Sequence, residues 1–132
     1  MRLRKTIVTL FVLALLAAVN SGNAFADGIT KNVKFKKGMY SATYSNSVVR
    51  GDRDIYKLKA ASGQTMEVKI NSTEDNAVFQ IINTKTGKML SGAKDGDDAT
   101  IWKGELPSSG TYKIIVGGTR GNATYDITIA IL

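Results

Sequence analysis

From Lys31 onward, apolar and polar residues alternate with a period of two, interrupted by glycine, asparagine and aspartate. That period belongs to strands with one face in a core and the other in water. Val33 and Phe35 alternate with lysines, and Lys37-Gly38 closes this first predicted strand. Tyr40, Ala42 and Tyr44 alternate with Ser41, Thr43 and Ser45, predicting a second strand running toward Val49. Gly51-Asp52 forms a turn. Tyr56, Leu58 and Ala60 then oppose Lys57 and Lys59, and after Ser62-Gly63 the residues Met66, Val68 and Ile70 oppose Glu67 and Lys69.

Asn71 to Asn76 is a polar connection, and Ala77 to Ile82 is the most continuously apolar run beyond the N-terminal region. It predicts a central strand. Asn83 to Gly87 has hairpin-turn chemistry and leads to a short strand at Lys88 to Leu90. A loop from Ser91 to Asp98 precedes a strand over Thr100 to Leu106, in which Trp102 shares the core-facing side with Leu106. Tyr112, Ile114 and Val116 are in phase, as are Tyr125, Ile127, Ile129 and Ile131. No window here keeps helical spacing. The prediction is one all-β domain, an antiparallel β-sandwich that is jelly-roll-like, with an immunoglobulin-like strand order also compatible with the spacing.

The N-terminus follows another rule. Arg2, Arg4 and Lys5 precede an apolar run from Ile7 to Val19, and Ala24-Phe25-Ala26 has the small-x-small form of a cleavage site. The run falls short of the roughly 20 residues that span a bilayer. Residues 1–26 therefore read as a signal peptide and residues 27–132 as the exported domain, soluble and off the membrane after cleavage.

Composition narrows the chemistry. The formal charge is +7 for the whole sequence and +4 without the three basic residues of the leader. No basic stripe interleaved with aromatics is present, which argues against a nucleic-acid partner. There is no cysteine and no histidine. A disulfide framework, a thiol nucleophile and the common general base are thereby excluded, with the usual zinc ligands. Carboxylate pairs, Asp52 with Asp54 and Asp95 with Asp97 and Asp98, lie in turn-like sequence rather than an enclosed cleft. The chain reads as a non-enzyme that needs no cofactor. Asp95-Gly96-Asp97-Asp98 lacks the full calcium-loop pattern, so a solvated turn is the simpler reading. A sugar-binding platform would need exposed rings. Tyr40, Tyr44, Tyr56, Tyr112 and Tyr125 are all in phase with apolar neighbours, which assigns them to the core or its edge.

The stretch from Leu106 to Tyr125 is the most informative. A tight turn, Pro107 to Gly110, enters the strand Thr111 to Val116, and a glycine-rich loop, Gly117 to Asn122, carries the single arginine Arg120. Two short loops thus flank one strand, at opposite ends or folded over a common edge.

Several segments together resemble a family. Asn32 to Gly38, Ser41 to Ser45, Gly51-Asp52-Arg53-Asp54-Ile55-Tyr56 and Gly63-Gln64 are similar to the periplasmic inhibitors of g-type (goose-type) lysozyme. Ser109-Gly110-Thr111-Tyr112 matches the Ser-Gly-x-Tyr motif that these share with inhibitors of i-type (invertebrate) lysozyme. The resemblance implies a periplasmic β-sandwich that inserts loops into the cleft of a g-type or i-type lysozyme. By it, Ser109, Gly110 and Tyr112 would form one contact loop, with Thr119 and Arg120 on the arginine loop. A basic protein would be repelled by a strongly basic c-type enzyme, which makes that class the least favoured target. The chain also resembles bacterial pre-peptidase C-terminal domains, where Ser-Gly-x-Tyr is a turn followed by a core tyrosine. That likeness implies a binding or accessory module that touches the cell wall or glycans.

Overall fold

The computed structural model describes residues 26–132, so the predicted leader, residues 1–26, lies outside the described residues except for Ala26. Eight strands follow in order: β1 (Ala26–Asn32), β2 (Ser41–Val48), β3 (Asp52–Ala60), β4 (Thr65–Ser72), β5 (Ala77–Asn83), β6 (Ile101–Glu105), β7 (Gly110–Gly118) and β8 (Ala123–Ile131). They form two four-stranded sheets, β1-β3-β7-β5 and β2-β8-β4-β6. Each strand lies in the sheet opposite its predecessor. The fold is the expected β-sandwich, and no described residue is in a helix.

Alternation does the sorting. Tyr56 and Leu58 on β3, Phe79 and Ile81 on β5, and Tyr112, Ile114 and Val116 on β7 point inward from one sheet. Met66, Val68 and Ile70 on β4, with Tyr125, Ile127 and Ile129 on β8, meet them from the other. Burial of such side chains contributes roughly 1.5–3 kcal/mol each. A single hydrophobic core thus holds the sheets together.

Five expectations are corrected. The first strand is Ala26–Asn32 rather than Val33 to Phe35, and it pairs in parallel with β3, whereas every other strand pair is antiparallel. Val33 and Phe35 still pack on the core, with the Val33 amide donating to the Lys57 carbonyl at 2.8 Å. β5 is not central but outermost in its sheet. Its free edge is covered by the segment Leu90–Ala99, through Phe79 N to Ala99 O and Ile81 N to Ala93 O, both 2.9 Å. That cover explains a continuously apolar sequence on an outer strand. The predicted strand at Lys88 to Leu90 reduces to one bridge, Ile82 with Met89.

Tyr40 departs from the tyrosine prediction. Tyr56, Tyr112 and Tyr125 are buried and Tyr44 half-buried, but Tyr40 is 72% exposed because β2 begins only at Ser41. Asp54 departs the other way. It lies within β3, not in a turn, and is 1% exposed. Trp102 is half-buried on edge strand β6, packed against the core, with its indole N–H donating to the Ser91 carbonyl at 2.9 Å.

Candidate functional site

β7 links the two loops singled out in the sequence. Its nine residues, Gly110–Gly118, rise about 3.4 Å each. Ser109 and Thr119 therefore stand about 30 Å apart, at opposite ends of the sandwich. The structure does not bring the two groups of residues together.

At the first end, the Ser-Gly-x-Tyr segment is tied inward. The Tyr112 ring is fully buried and its hydroxyl donates to the Ser108 carbonyl at 2.5 Å. Ser109 is exposed, yet its Oγ accepts the Ser62 amide at 2.8 Å. Ser62 Oγ in turn donates to the Pro107 carbonyl at 3.3 Å. Gly110 holds a φ of 143°, a backbone conformation that L side chains rarely adopt. These contacts join the β6–β7 turn to the β3–β4 turn, which Gly63 N to Leu106 O (2.9 Å) and Leu106 N to Gln64 O (2.8 Å) also bind.

At the other end, Thr119 and Arg120 are both exposed. The loop is built on Asn76, a residue sequence reasoning passed over as part of a polar connection. Asn76 is 2% exposed. Its carbonyl accepts the Thr119 amide at 2.9 Å, and its Nδ2 donates to the Asn122 carbonyl at 2.8 Å. Its own amide donates to Ser72 Oγ at 2.9 Å. Asn122 Oδ1 accepts the Arg50 amide at 2.6 Å, which ties the β2–β3 turn into the same frame. Gly118 must lack a side chain, since a Cβ there would lie 2.4 Å from the Gly121 carbonyl oxygen. The outcome is a closed, pinned loop.

Arg120 projects from that frame. Its Nη2 donates to the Glu74 carbonyl at 2.6 Å, so one of the guanidinium's five N–H groups is fixed against the β4–β5 loop. Arg50 and Arg53 are the other arginines among the described residues, and both belong to this end, next to and at the start of β3. Arg53 lies across β7. A Cβ on Gly117 would meet its Nη1 at 2.9 Å, so the absence of a side chain there lets the guanidinium cross. Beside it is a cavity of about 240 Å³ lined by Gln80, Asp95, Asp98 and Thr119, among others.

The carboxylates weighed in the sequence are placed separately. Asp54 accepts hydrogen bonds from Tyr125 Oη (2.6 Å), Asn46 Nδ2 (2.8 Å) and the Ile29 amide (3.0 Å). Burial and hydrogen bonding raise the Tyr125 hydroxyl far above the usual phenol range, and burial raises Tyr56 as well. The group is a structural clamp between the sheets. In the acidic loop, Asp97 Oδ2 accepts the Lys94 amide at 2.9 Å and Asp95 Oδ1 accepts Gln80 Nε2 at 3.0 Å. Among the described residues, no group of three or more acidic, histidine or cysteine side chains is placed to hold a metal ion.

No protein-family model matches the chain. A comparison of structures finds a periplasmic inhibitor of g-type lysozyme from Aeromonas hydrophila, 35% identical, at a TM-score of 0.67 over 81% of this chain and all of that one. The corresponding inhibitor from Salmonella Typhimurium is 28% identical, with a TM-score of 0.65 over 80% of this chain and 99% of that one. A pre-peptidase C-terminal domain of collagenase from Bacillus anthracis, 15% identical at a TM-score of 0.58 over 81% of this chain and 99% of that one, shares the fold alone. The inhibitor of g-type lysozyme from Escherichia coli is 33% identical over 123 residues, 86% of this chain and 85% of that protein. With sequence and fold in agreement along nearly the whole described chain, this protein belongs to the family of inhibitors of g-type lysozyme.

Proposed function

We propose that the protein inhibits g-type lysozyme in the periplasm, as a binding protein without catalytic activity, and that it meets the enzyme with the end of the sandwich that carries Thr119 and Arg120. The observation behind this choice is the fixed presentation of Arg120 on the Asn76–Asn122 frame. A glycosidase cleft carries catalytic carboxylates. A guanidinium already held by the Glu74 carbonyl can give such a group charge-assisted hydrogen bonds with little ordering cost. Occlusion of the cleft then suffices, and no bond need be made or broken.

The Ser-Gly-x-Tyr segment takes a supporting role in this reading. Ser109 Oγ is engaged with Ser62, Tyr112 is buried, and both stand about 30 Å from Arg120. One rigid approach does not seat both ends in one cleft. Ser109, Gly110 and Tyr112 instead hold the β6–β7 turn and the entry of β7 in place.

The test is titration of the mature domain into cell-wall lysis by g-type, i-type and c-type lysozymes. Selective inhibition of the g-type enzyme supports the reading, and lysis unaffected at excess inhibitor would sink it. Export to the periplasm is read from the Ala24-Phe25-Ala26 site and agrees with the relatives' compartment.

A further inference from the structure

The outward face of the β2-β8-β4 sheet carries a groove of mixed polar and apolar lining that does not include Thr119 or Arg120. Its main part, about 420 Å³, runs over Ala130 and Thr128 of β8, between Ser41 of β2 and the wall formed by Glu67, Lys69 and Asn71 of β4. A second hollow of about 290 Å³ shares Asn71 and continues past Asp126 to Thr124. From Ala130 to Thr124 the strand covers about 20 Å, so the two hollows together follow most of β8. At one end stands Tyr40, 72% exposed, with Leu132 beside it.

The side chains along the groove are ranked and held. Register places Ser41, Ala130 and Glu67 in one row, Thr43, Thr128 and Lys69 in the next, and Ser45, Asp126 and Asn71 in a third. Thr43 and Thr128 hydroxyls hydrogen-bond at 2.9 Å, Ser47 and Thr124 at 2.8 Å, and Ser45 donates to Asp126. A floor of hydroxyls fixed in pairs lowers the ordering cost of binding.

We infer that this groove binds a linear oligosaccharide, with Tyr40 as the stacking surface for a sugar ring and Asn71, Lys69 and Thr128 as hydrogen-bonding partners. The lining decides among ligands. It has no continuous apolar floor, which disfavours a lipid chain or an amphipathic helix. Both signs of charge are present in Glu67, Lys69 and Asp126, so a polyanion has no matching field. β8 is paired on both sides, with β2 and β4, and offers no backbone edge to an added peptide strand. Hydroxyl and acetamido groups match the donors and acceptors that remain, and a ring face matches the exposed tyrosine.

The probes are purified peptidoglycan sacculi, by co-sedimentation, and the tetramer of N-acetylglucosamine, by calorimetric titration. The full domain is retained on one or both. Tyr40→Ala, at an exposed position outside the strands, weakens binding about ten-fold, and Asn71→Ala about five-fold. Both variants keep the wild-type circular dichroism spectrum and unchanged lysozyme inhibition. An Arg120→Ala protein binds glycan normally, which separates this inference from the inhibitory one. Absence of wild-type binding to either probe overturns the proposal. So does binding that neither substitution weakens, or a Tyr40→Ala effect confined to dissociation of a dimer.

Discussion

The Tyr125 hydroxyl on β8 donates to the Asp54 carboxylate on β3 at 2.6 Å, crossing from one sheet to the other inside the sandwich. Tyr56 closes on Tyr125 at 2.7 Å between the two phenol oxygens. An Asp54→Ala substitution leaves the Tyr125 hydroxyl, the Asn46 amide and the Ile29 N–H without their acceptor. The expected loss is about 3 kcal/mol, read as a lower midpoint in urea with an unchanged slope.

The same pair of phenols makes stability fall at high pH. In the unfolded chain they ionise near pH 10, whereas in the folded protein both pKa values are raised. Above pH 10 the unfolded state therefore binds fewer protons, and stability decreases as pH rises. Each phenol that stays protonated in the fold contributes a decline of about 1.4 kcal/mol per pH unit. Unfolding curves from pH 9 to 11.5 should be steeper in pH for the wild type than for Tyr125→Phe; equal slopes would refute the assignment.

Gly28 is the point at which β1 is keyed to β3. A Cβ there would stand 2.0 Å from Asp54 Oδ1 and 2.6 Å from the Arg53 carbonyl oxygen. Gly28→Ala is expected to displace β1 and lower stability by about 2 kcal/mol. Hydrogen exchange should then accelerate at Ile29 and Val33, whose amides donate to β3, while β8 amides stay protected relative to global unfolding.

Arg120→Ala is expected to fold normally and lose about 10- to 100-fold in inhibition of g-type lysozyme, as suits removal of a charge-assisted contact. Arg120→Lys keeps the charge without the planar fork and should recover only part of the loss. Tyr112→Phe, by contrast, removes the bond to the Ser108 carbonyl and should cost about 1 kcal/mol of stability with inhibition intact. If Tyr112→Phe abolished inhibition in a folded protein and Arg120→Ala did not, the contact end would have to be reassigned.

Lys57 and Lys113 stand directly opposite each other on β3 and β7, on the outward face of their sheet. Like charges in that relation are destabilising. Lys113→Glu should raise stability by about 0.5 kcal/mol, a gain of about 2–4 °C in Tm.

Most of the strands are legible in the sequence because each has one face in the core, which imposes the period of two. What escapes are the places where a polar residue takes an inward position. Asp54 and Asn76 look like turn residues, yet both are buried, because partners distant in sequence satisfy them. β1 escapes because its place depends on the edge of β3 and on Gly28 rather than on its own apolar pattern. The family motifs single out both loops. Their separation is legible only through the length of β7, since neither sequence motif encodes where the other end of a strand lies.

The alternation of strands between sheets bears on when the fold can close. No two consecutive strands among the eight are partners in a sheet. A growing chain therefore cannot lock successive strand pairs as they emerge. β2 and β4 have no common neighbour until β8 is made, and β3 and β5 none until β7. The last two strands close the two sheets; before them only the β1–β3 and β4–β6 pairs can form. The two sheets are therefore completed together, in one late step, when β7 and β8 join the strands already made.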